Sequence, residues 1–403
     1  MDQQKRVAVF FGGRSPEHDV SIITGLQALT AIASIHYDPF PVYIDLAGRW
    51  WIGEALRERS TYLPDAITRK NLARVMLDST PGAGGALHPW KSGFFRKARP
   101  VHFDIALLAL HGLSGENGDL QGAFEVAHVP YTGMRVLASS LLMDKVLTKE
   151  MLRDKDIPLL PYTVIEKPSQ GLLPEPDELE RICGNLAFPC CIKPRHLGSS
   201  IGVAKVDSLD ELNAVLPNIF RYDTFAIVEP FVNHLTEYNI SVRRNGQSIA
   251  VSAIEQPKHS DDLLDFKQKY RAGMDGKTGK IQGTVNEGML SATRTINPEL
   301  EAKTKQNLIR WARIAFETVG GTGAPRIDFL CDEQMEEIWL NEVNPCPGSF
   351  GYFLWEAASE PLLFTELLTH LLEEAEILQA RHQLPYDPVP EDARLFRRST
   401  NSS

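Results

Sequence analysis

No stretch of this chain approaches the roughly 18 consecutive apolar residues that a membrane span requires, so no membrane partner is expected. The apolar run at 7–11, behind Lys5 and Arg6, is too short for a signal-peptide core. Cysteine is sparse. The five residues (Cys183, Cys190, Cys191, Cys331 and Cys346) are odd in number and lack zinc-like or secreted-scaffold spacing. They read as reduced, mostly buried thiols of a cytoplasmic protein, with adjacent Cys190 and Cys191 as core rather than a redox pair. Basic charge is in deficit. Lys and Arg number 42 against 52 Asp and Glu, a formal net charge of -10, which argues against a nucleic-acid partner. Any anionic substrate must therefore be met by local lysines, arginines, helix N-termini or a metal. No internal repeat is visible, and no glycine loop closes on the Gly-Lys-Ser/Thr of a Walker A motif.

At 403 residues the chain is too long for one ordinary core, and two or three domains are expected. Arg6-Val7-Ala8-Val9-Phe10-Phe11 reads as a buried strand ending in Gly12-Gly13, with a helical pattern from about Val20. Strand, glycine turn and helix in that order open a parallel α/β unit. Further strands are expected near 40–44 and 103–110, and residues 53–100 read as an elaboration of this first domain. A long helix over about 138–155 begins a second region, with strands at 187–194 and 225–232. Alternation over 238–251 predicts an antiparallel sheet with one wet face. Helices are expected at 300–318 and 361–380, with a loosely ordered tail beyond. The expected units are 1–137, 138–236, 237–380 and a tail at 381–403.

Three constellations carry chemistry. Asp328, Glu342 and Asn344 are oxygen ligands on two strand-like runs, and Glu342 and Asn344, two apart, share one strand face. If the Asp328 strand pairs beside them, the oxygens converge as Mg²⁺ requires, with Arg326 facing the same pocket. The alternative is a solvated acidic hairpin. Lys193 precedes the small, hydroxyl-rich run Gly198-Ser199-Ser200-Ile201-Gly202. Backbone N–H groups there can surround phosphate oxygens while the lysine supplies charge. The alternative is a flexible hairpin turn. Ile227-Val228-Glu229-Pro230-Phe231-Val232 can present backbone groups to an adenine edge, with Glu237 able to accept from ribose hydroxyls.

With Phe11-Gly12-Gly13-Arg14-Ser15-Pro16-Glu17-His18-Asp19-Val20-Ser21, His111-Gly112, Gly115-Glu116-Asn117-Gly118, Tyr131-Thr132-Gly133 and Asp144-Lys145, these motifs occur in order over nearly the whole chain. The chain resembles the D-alanine–D-alanine ligase family of ATP-grasp enzymes. The resemblance implies an α/β fold: an N-terminal parallel α/β (pre-ATP-grasp) domain followed by a two-lobed ATP-grasp α+β domain. It implies two chemical steps. ATP phosphorylates the carboxylate of a first D-alanine, and the amine of a second attacks the acylphosphate.

The resemblance also implies roles. Glu17 meets the first amino acid's ammonium, with Ser21 and His111 on the same side. Ser199 joins Glu17 to a loop tyrosine, Tyr270, and Lys269 reaches the transferring phosphate. Lys145 and Lys193, with Ser200 beside them, attend the nucleotide phosphates, and Ser199 and Asn341 belong to the same ATP site. Glu229, Val232 and Glu237 meet adenine and ribose. Asp328, Glu342 and Asn344 hold Mg²⁺ (two ions, with Mn²⁺ as a substitute), and Arg326 with the Gly348 N–H stabilises the oxyanion. The partners implied are small-molecule amino acids, and the assembly a homodimer.

The sequence departs from the family pattern after Gly348. The segment Ser349-Phe350-Gly351-Tyr352-Phe353-Leu354-Trp355-Glu356 is about one helical turn short, and aromatics replace an acceptor-binding serine. An altered acceptor amine is the alternative expectation, and a degenerate nucleotide-binding paralogue a second.

Overall fold

The computed structural model describes residues 4–62, 71–90, 99–198, 201–258, 294–381 and 389–395. Among the described residues, three sheets follow one another along the chain. In the first, the buried run of β1 (Lys5–Gly12) pairs in parallel with β2 (Tyr37–Ile44) on one side and β7 (Ile105–Leu108) on the other. Helix α1 (His18–Ala31) makes the crossover. The segment that reads as an elaboration supplies antiparallel strands β3 (Trp50–Ile52), β4 (Ala73–Leu77), β5 (Gly85–Pro89) and β6 (Val101–Phe103). The sheet order is β6-β5-β4-β3-β2-β1-β7. Since β6 runs into β7 through Asp104 alone, the two ends of this sheet are one chain segment and the sheet closes on itself. Asp104 seals the seam, accepting from Arg6 N–H at 2.7 Å and donating its own N–H to the Arg6 carbonyl at 2.8 Å. The parallel part is thus three strands, and the rest is antiparallel.

Phe10, Val42, Leu87, Phe103 and Leu108 pack with Phe124 of α2 (Asp119–Ala127) on one face of this sheet. On the other, Phe11, Leu26 and Leu107 pack against the C-terminal helix α9 (Phe364–Arg381) through Leu367, Leu371 and Leu372. Strand β1 and helix α9, far apart in sequence, therefore share one core. That places the segment around Phe350 directly on α1.

The expected long helix is two. Helix α3 (Val136–Met143) and α4 (Lys145–Leu152) are separated by Asp144, whose backbone is extended. Its carboxylate caps α4 by accepting from Val146 and Leu147 N–H at 2.9 and 3.0 Å. A second sheet, β10-β9-β11-β8, comprises β8 (Thr163–Glu166), β9 (Cys190–Pro194), β10 (Ala204–Val206) and β11 (Phe225–Pro230). It is backed by α5 (Pro176–Cys183) and α6 (Leu209–Ile219) around Ile192, Leu212 and Val228. The third, β14-β13-β12-β15-β16, is antiparallel throughout: β12 (Leu235–Asn245), β13 (Ser248–Pro257), β14 (Arg294–Ile296), β15 (Arg326–Asp332) and β16 (Glu337–Asn344). Helix α7 (Ala302–Thr318) covers its dry face with Leu308, Trp311 and Phe316. The other face of this sheet looks toward the second sheet, and the site lies between them.

Candidate active site

Asp328 lies directly opposite Glu342, and Arg326 opposite Asn344, across the β15–β16 pair. All four sit on one face, as the period-2 pattern of a strand requires. Leu340 and Glu342 are also two apart, yet Leu340 is buried against Phe329. The conflict is resolved by a register shift that leaves Asn341 as an extra, unmatched residue on β16. Such a bulge re-aims neighbouring side chains, and here it keeps Leu340 in the core while Glu342 faces the cleft.

The Arg326 guanidinium grips Asp328 through two parallel bonds, Nε to Oδ1 at 2.7 Å and Nη2 to Oδ2 at 2.6 Å. Asn344 Nδ2 donates to Asp328 Oδ2 at 2.9 Å. The donor set of one amide and two carboxylates suits a hard divalent cation that shares its remaining positions with phosphate and water.

Helix α4 and the second sheet face these oxygens with lysines. Lys145 Nζ lies 3.9 Å from Glu342 Oε2 and donates to the Leu197 carbonyl. Lys193 Nζ donates to Asn341 Oδ1 at 3.1 Å and pairs with Glu229 Oε2 at 2.6 Å. Lys149, which sequence reasoning missed, pairs with Glu229 Oε1 at 2.6 Å. The signal was available: Lys145 and Lys149 are four apart on a helix and so share a face. All three lysines and Glu229 are buried. Burial holds the Lys145 and Lys149 ammonium groups below the ordinary lysine range. For Lys193 burial acts the same way, but Glu229, Cys191 and Glu342 together outweigh it and raise the group. Burial works against the Glu229 carboxylate too, and Lys193 and Lys149 together hold it ionised. Val232 follows β11 half-buried, and Glu237 stands on β12 opposite Leu330.

At the base of this cleft, Arg195 reaches Asp144 in a bidentate pair at 2.7 and 2.6 Å. His196 bridges Asp223 at 3.0 Å and Asp144 at 3.3 Å. Hydrogen bonds to Asp144 and Asp223 raise the His196 imidazole to about 9. This cluster fixes the segment entering the hydroxyl-rich loop. The loop residues Ser199 and Ser200, and Lys269 and Tyr270, lie outside the described residues.

The first sheet contributes the third wall. Glu17 is buried just ahead of α1. A side chain at Gly112 would place its Cβ 2.4 Å from Glu17 Oε2, and Gly112 has φ +68°, so only glycine fits there. Gly198 approaches the same carboxylate, with a Cβ there falling 3.8 Å away. Ser21 is fully buried, and its hydroxyl accepts from Gly12 N–H at 2.8 Å and donates to the Ala109 carbonyl at 2.7 Å. It ties β1 to the end of β7.

His111 is 3% exposed and has both ring nitrogens engaged. Nδ1 contacts the Cys346 carbonyl at 2.7 Å and Nε2 the Thr24 hydroxyl at 2.8 Å. Since a carbonyl only accepts, Nδ1 carries the proton and Nε2 accepts from Thr24. Burial lowers the imidazole to about 4, so it is neutral near pH 7. Glu116 bridges the same two segments, accepting from Gly112 N–H at 2.6 Å and Cys346 N–H at 2.8 Å. Burial and then the Glu17 carboxylate push Glu116 up to about 8.

Beyond Gly348 the chain makes a turn of opposite hand. Ser349, Phe350 and Gly351 have φ of 51°, 55° and 61°, a left-handed stretch that costs roughly 1 kcal/mol at each non-glycine position. It drives the Phe350 ring into the shared core, 5% exposed. The short connection then enters α8 (Tyr352–Glu356).

Comparison with known proteins bears on this arrangement. A family model described as D-ala D-ala ligase N-terminus matches residues 6–134, and one described as D-ala D-ala ligase C-terminus matches residues 151–373. The chain is 31% identical over 366 residues to a D-alanine–D-alanine ligase of Thermosipho africanus, covering 91% of this chain and 92% of the relative. It is 32% identical over 375 residues to one of Heliobacterium modesticaldum, covering 92% and 94%. Among solved structures, a D-Ala:D-Ser ligase from Enterococcus faecalis superposes with TM-score 0.70 at 26% identity, over 93% of this chain and all of that one. The D-alanine-D-alanine ligase of Coxiella burnetii superposes with TM-score 0.72 at 24% identity, over 94% and 95%, a likeness of fold.

Proposed function

The chain belongs to the D-alanine–D-alanine ligase family, and from that premise we propose how its residues join two D-alanines at the expense of ATP. The observation that carries the proposal is the cleft between the second and third sheets. Buried Lys145 and Lys193 reach across it to Glu342 and Asn341. Transfer of a phosphoryl group to a carboxylate brings anion toward anion, and only cations and preorganised donors can offset that repulsion.

In this proposal Lys145 and Lys193 take the nucleotide phosphates, Glu229 and Val232 the adenine, and Glu237 the ribose. Lys149 keeps Glu229 ionised and in place. Asp328, Glu342 and Asn344 would hold two Mg²⁺ ions, whose chemistry is to neutralise the charge gathered on the β- and γ-phosphates. Glu17 takes the ammonium of the first D-alanine and aims its carboxylate at the phosphorus. Ser199, Ser200, Lys269 and Tyr270 remain part of the proposal from sequence alone. A carboxylate oxygen of the first amino acid forms the new P–O bond as ADP leaves. The neutral amine of the second then attacks the carbonyl carbon, Arg326 and the Gly348 N–H bear the oxyanion, and the C–O bond breaks as phosphate departs, taking up the proton that the amine sheds. Ser21 serves as scaffold, since its hydroxyl is already committed to backbone.

We also propose three working units near the boundaries expected from sequence, and assembly as a homodimer. A cytoplasmic location is supported by five free cysteines; among the described residues no helix is long and apolar enough to cross a membrane. Substituting Arg326→Ala tests the chemical assignment. Dipeptide formation is expected to fall about 100-fold or more, with ATP affinity within about threefold of wild type. Unchanged turnover would remove Arg326 from the oxyanion site.

A further inference from the structure

The segment Cys346-Pro347-Gly348-Ser349 follows β16, yet the side chains that hold it come from α1 and from the connection between β7 and α2. Glu116 accepts the Cys346 N–H at 2.8 Å, and His111 Nδ1 donates to the Cys346 carbonyl at 2.7 Å. Three residues on, the Ser349 N–H donates to Thr24 Oγ1 at 3.1 Å, and the Ser349 hydroxyl donates to Gln27 Oε1 at 2.5 Å. Thr24 is fully buried and links the two ends, because its own hydroxyl proton goes to His111 Nε2 at 2.8 Å. One continuous relay therefore runs from Ser349 N–H through Thr24 and His111 to the Cys346 carbonyl. Gly348 lies inside that loop, where a Cβ would be 3.9 Å from Val20 of the same helix face.

We propose that Thr24 is a positioning residue for the reaction: with His111 it clamps Cys346–Ser349 from both ends and so aims the Gly348 N–H at the developing oxyanion. The inference rests on the ligase function proposed above. A clamp is needed because Ser349 and Phe350 occupy the left-handed region that side chains disfavour, and a strained turn persists only where its surroundings over-determine it. Release of the Thr24 bond lets the turn relax and swings the adjacent amide. Thr24 and Gln27 lie three apart on α1 and meet the N–H and the hydroxyl of one residue, Ser349. This contact places control of the oxyanion donor in the domain that receives the first amino acid.

The test compares Thr24→Val, which removes both hydroxyl bonds at constant shape, with Thr24→Ser, which keeps them. Thr24→Val is expected to lower kcat for dipeptide formation about 10- to 100-fold, with KM for ATP within about twofold. Hydrogen exchange of the amides in 345–351 is expected to quicken about tenfold or more. Thr24→Ser should stay within about threefold of wild type in both. Equal kcat and exchange in Thr24→Val and wild type overturn the proposal, as does a Thr24→Ser enzyme as slow as Thr24→Val. Should Thr24→Val not fold, Gln27→Met at a partly exposed position gives the same readouts, expected at about fivefold slower turnover and faster exchange; wild-type values there overturn it. A wild-type enzyme that makes no dipeptide sinks the ligase function, while the exchange comparison still judges the clamp.

Discussion

Ser21 shows how a residue beside an active site can belong to the scaffold. Its hydroxyl lies between Gly12 N–H and the Ala109 carbonyl, out of solvent. Removing it leaves both backbone groups buried without a partner, which costs about 1–3 kcal/mol. Ser21→Ala is therefore expected to lower the unfolding free energy by about 2 kcal/mol in urea. KM for D-alanine should stay within about threefold; a large rise in KM with unchanged stability would restore Ser21 as a substrate contact. His196 offers a pH-dependent case. Its folded-state value, raised to about 9 by Asp144 and Asp223, exceeds the ordinary value, so protonation favours the folded state. The contribution is full below about pH 6.5 and fades as pH rises through 9. The side chain is 35% exposed, so solvent screening leaves on the order of 1 kcal/mol. His196→Gln should cost that much at pH 6, and the difference from wild type should vanish near pH 10. A constant difference across that range would contradict the ion pairs.

Among the elements, β16 obeys the spacing rule only in part. Glu342 and Asn344 share a face because they are two apart, and that much was visible from spacing. The same rule places Leu340 on the wet face, and the structure shows it buried, because Asn341 is bulged out of register. A bulge is set by the partner strand and leaves no local mark. The α3–α4 break escaped for a related reason. Asp144 caps one helix while bonding Arg195, which lies 51 residues on. Strands β3–β5 were hidden by their shortness and by glycine and arginine, whereas β1 and α1 announced themselves as a long apolar run and a periodic face. The bulged residue also carries the Lys193 contact at 3.1 Å. Asn341→Ala is expected to weaken ATP binding about tenfold, the effect of roughly one hydrogen bond to a charged group. Titration calorimetry with a non-hydrolysable ATP analogue checks this; unchanged affinity would mean that the contact serves only the empty site.

Across the whole molecule, three sheets meet at one cleft, and each supplies one kind of chemistry. The second sheet and α4 bring lysines, the third brings oxygen ligands and Arg326, and the first brings Glu17 and the clamp on Gly348. The core that joins α1 to α9 makes the last of these possible, since it seats the post-β16 segment on the N-terminal domain. The family relationship supports the joining of two D-alanines. After Gly348 the Phe350 side chain is buried in the core shared by α1 and α9. The most direct measurement is the product mass and phosphate yield from the purified enzyme given Mg²⁺, ATP and D-alanine alone. D-alanyl-D-alanine formed in step with ADP and phosphate is the expected result. Tight ATP binding without dipeptide, or phosphate release only when a different amine is added, would contradict it.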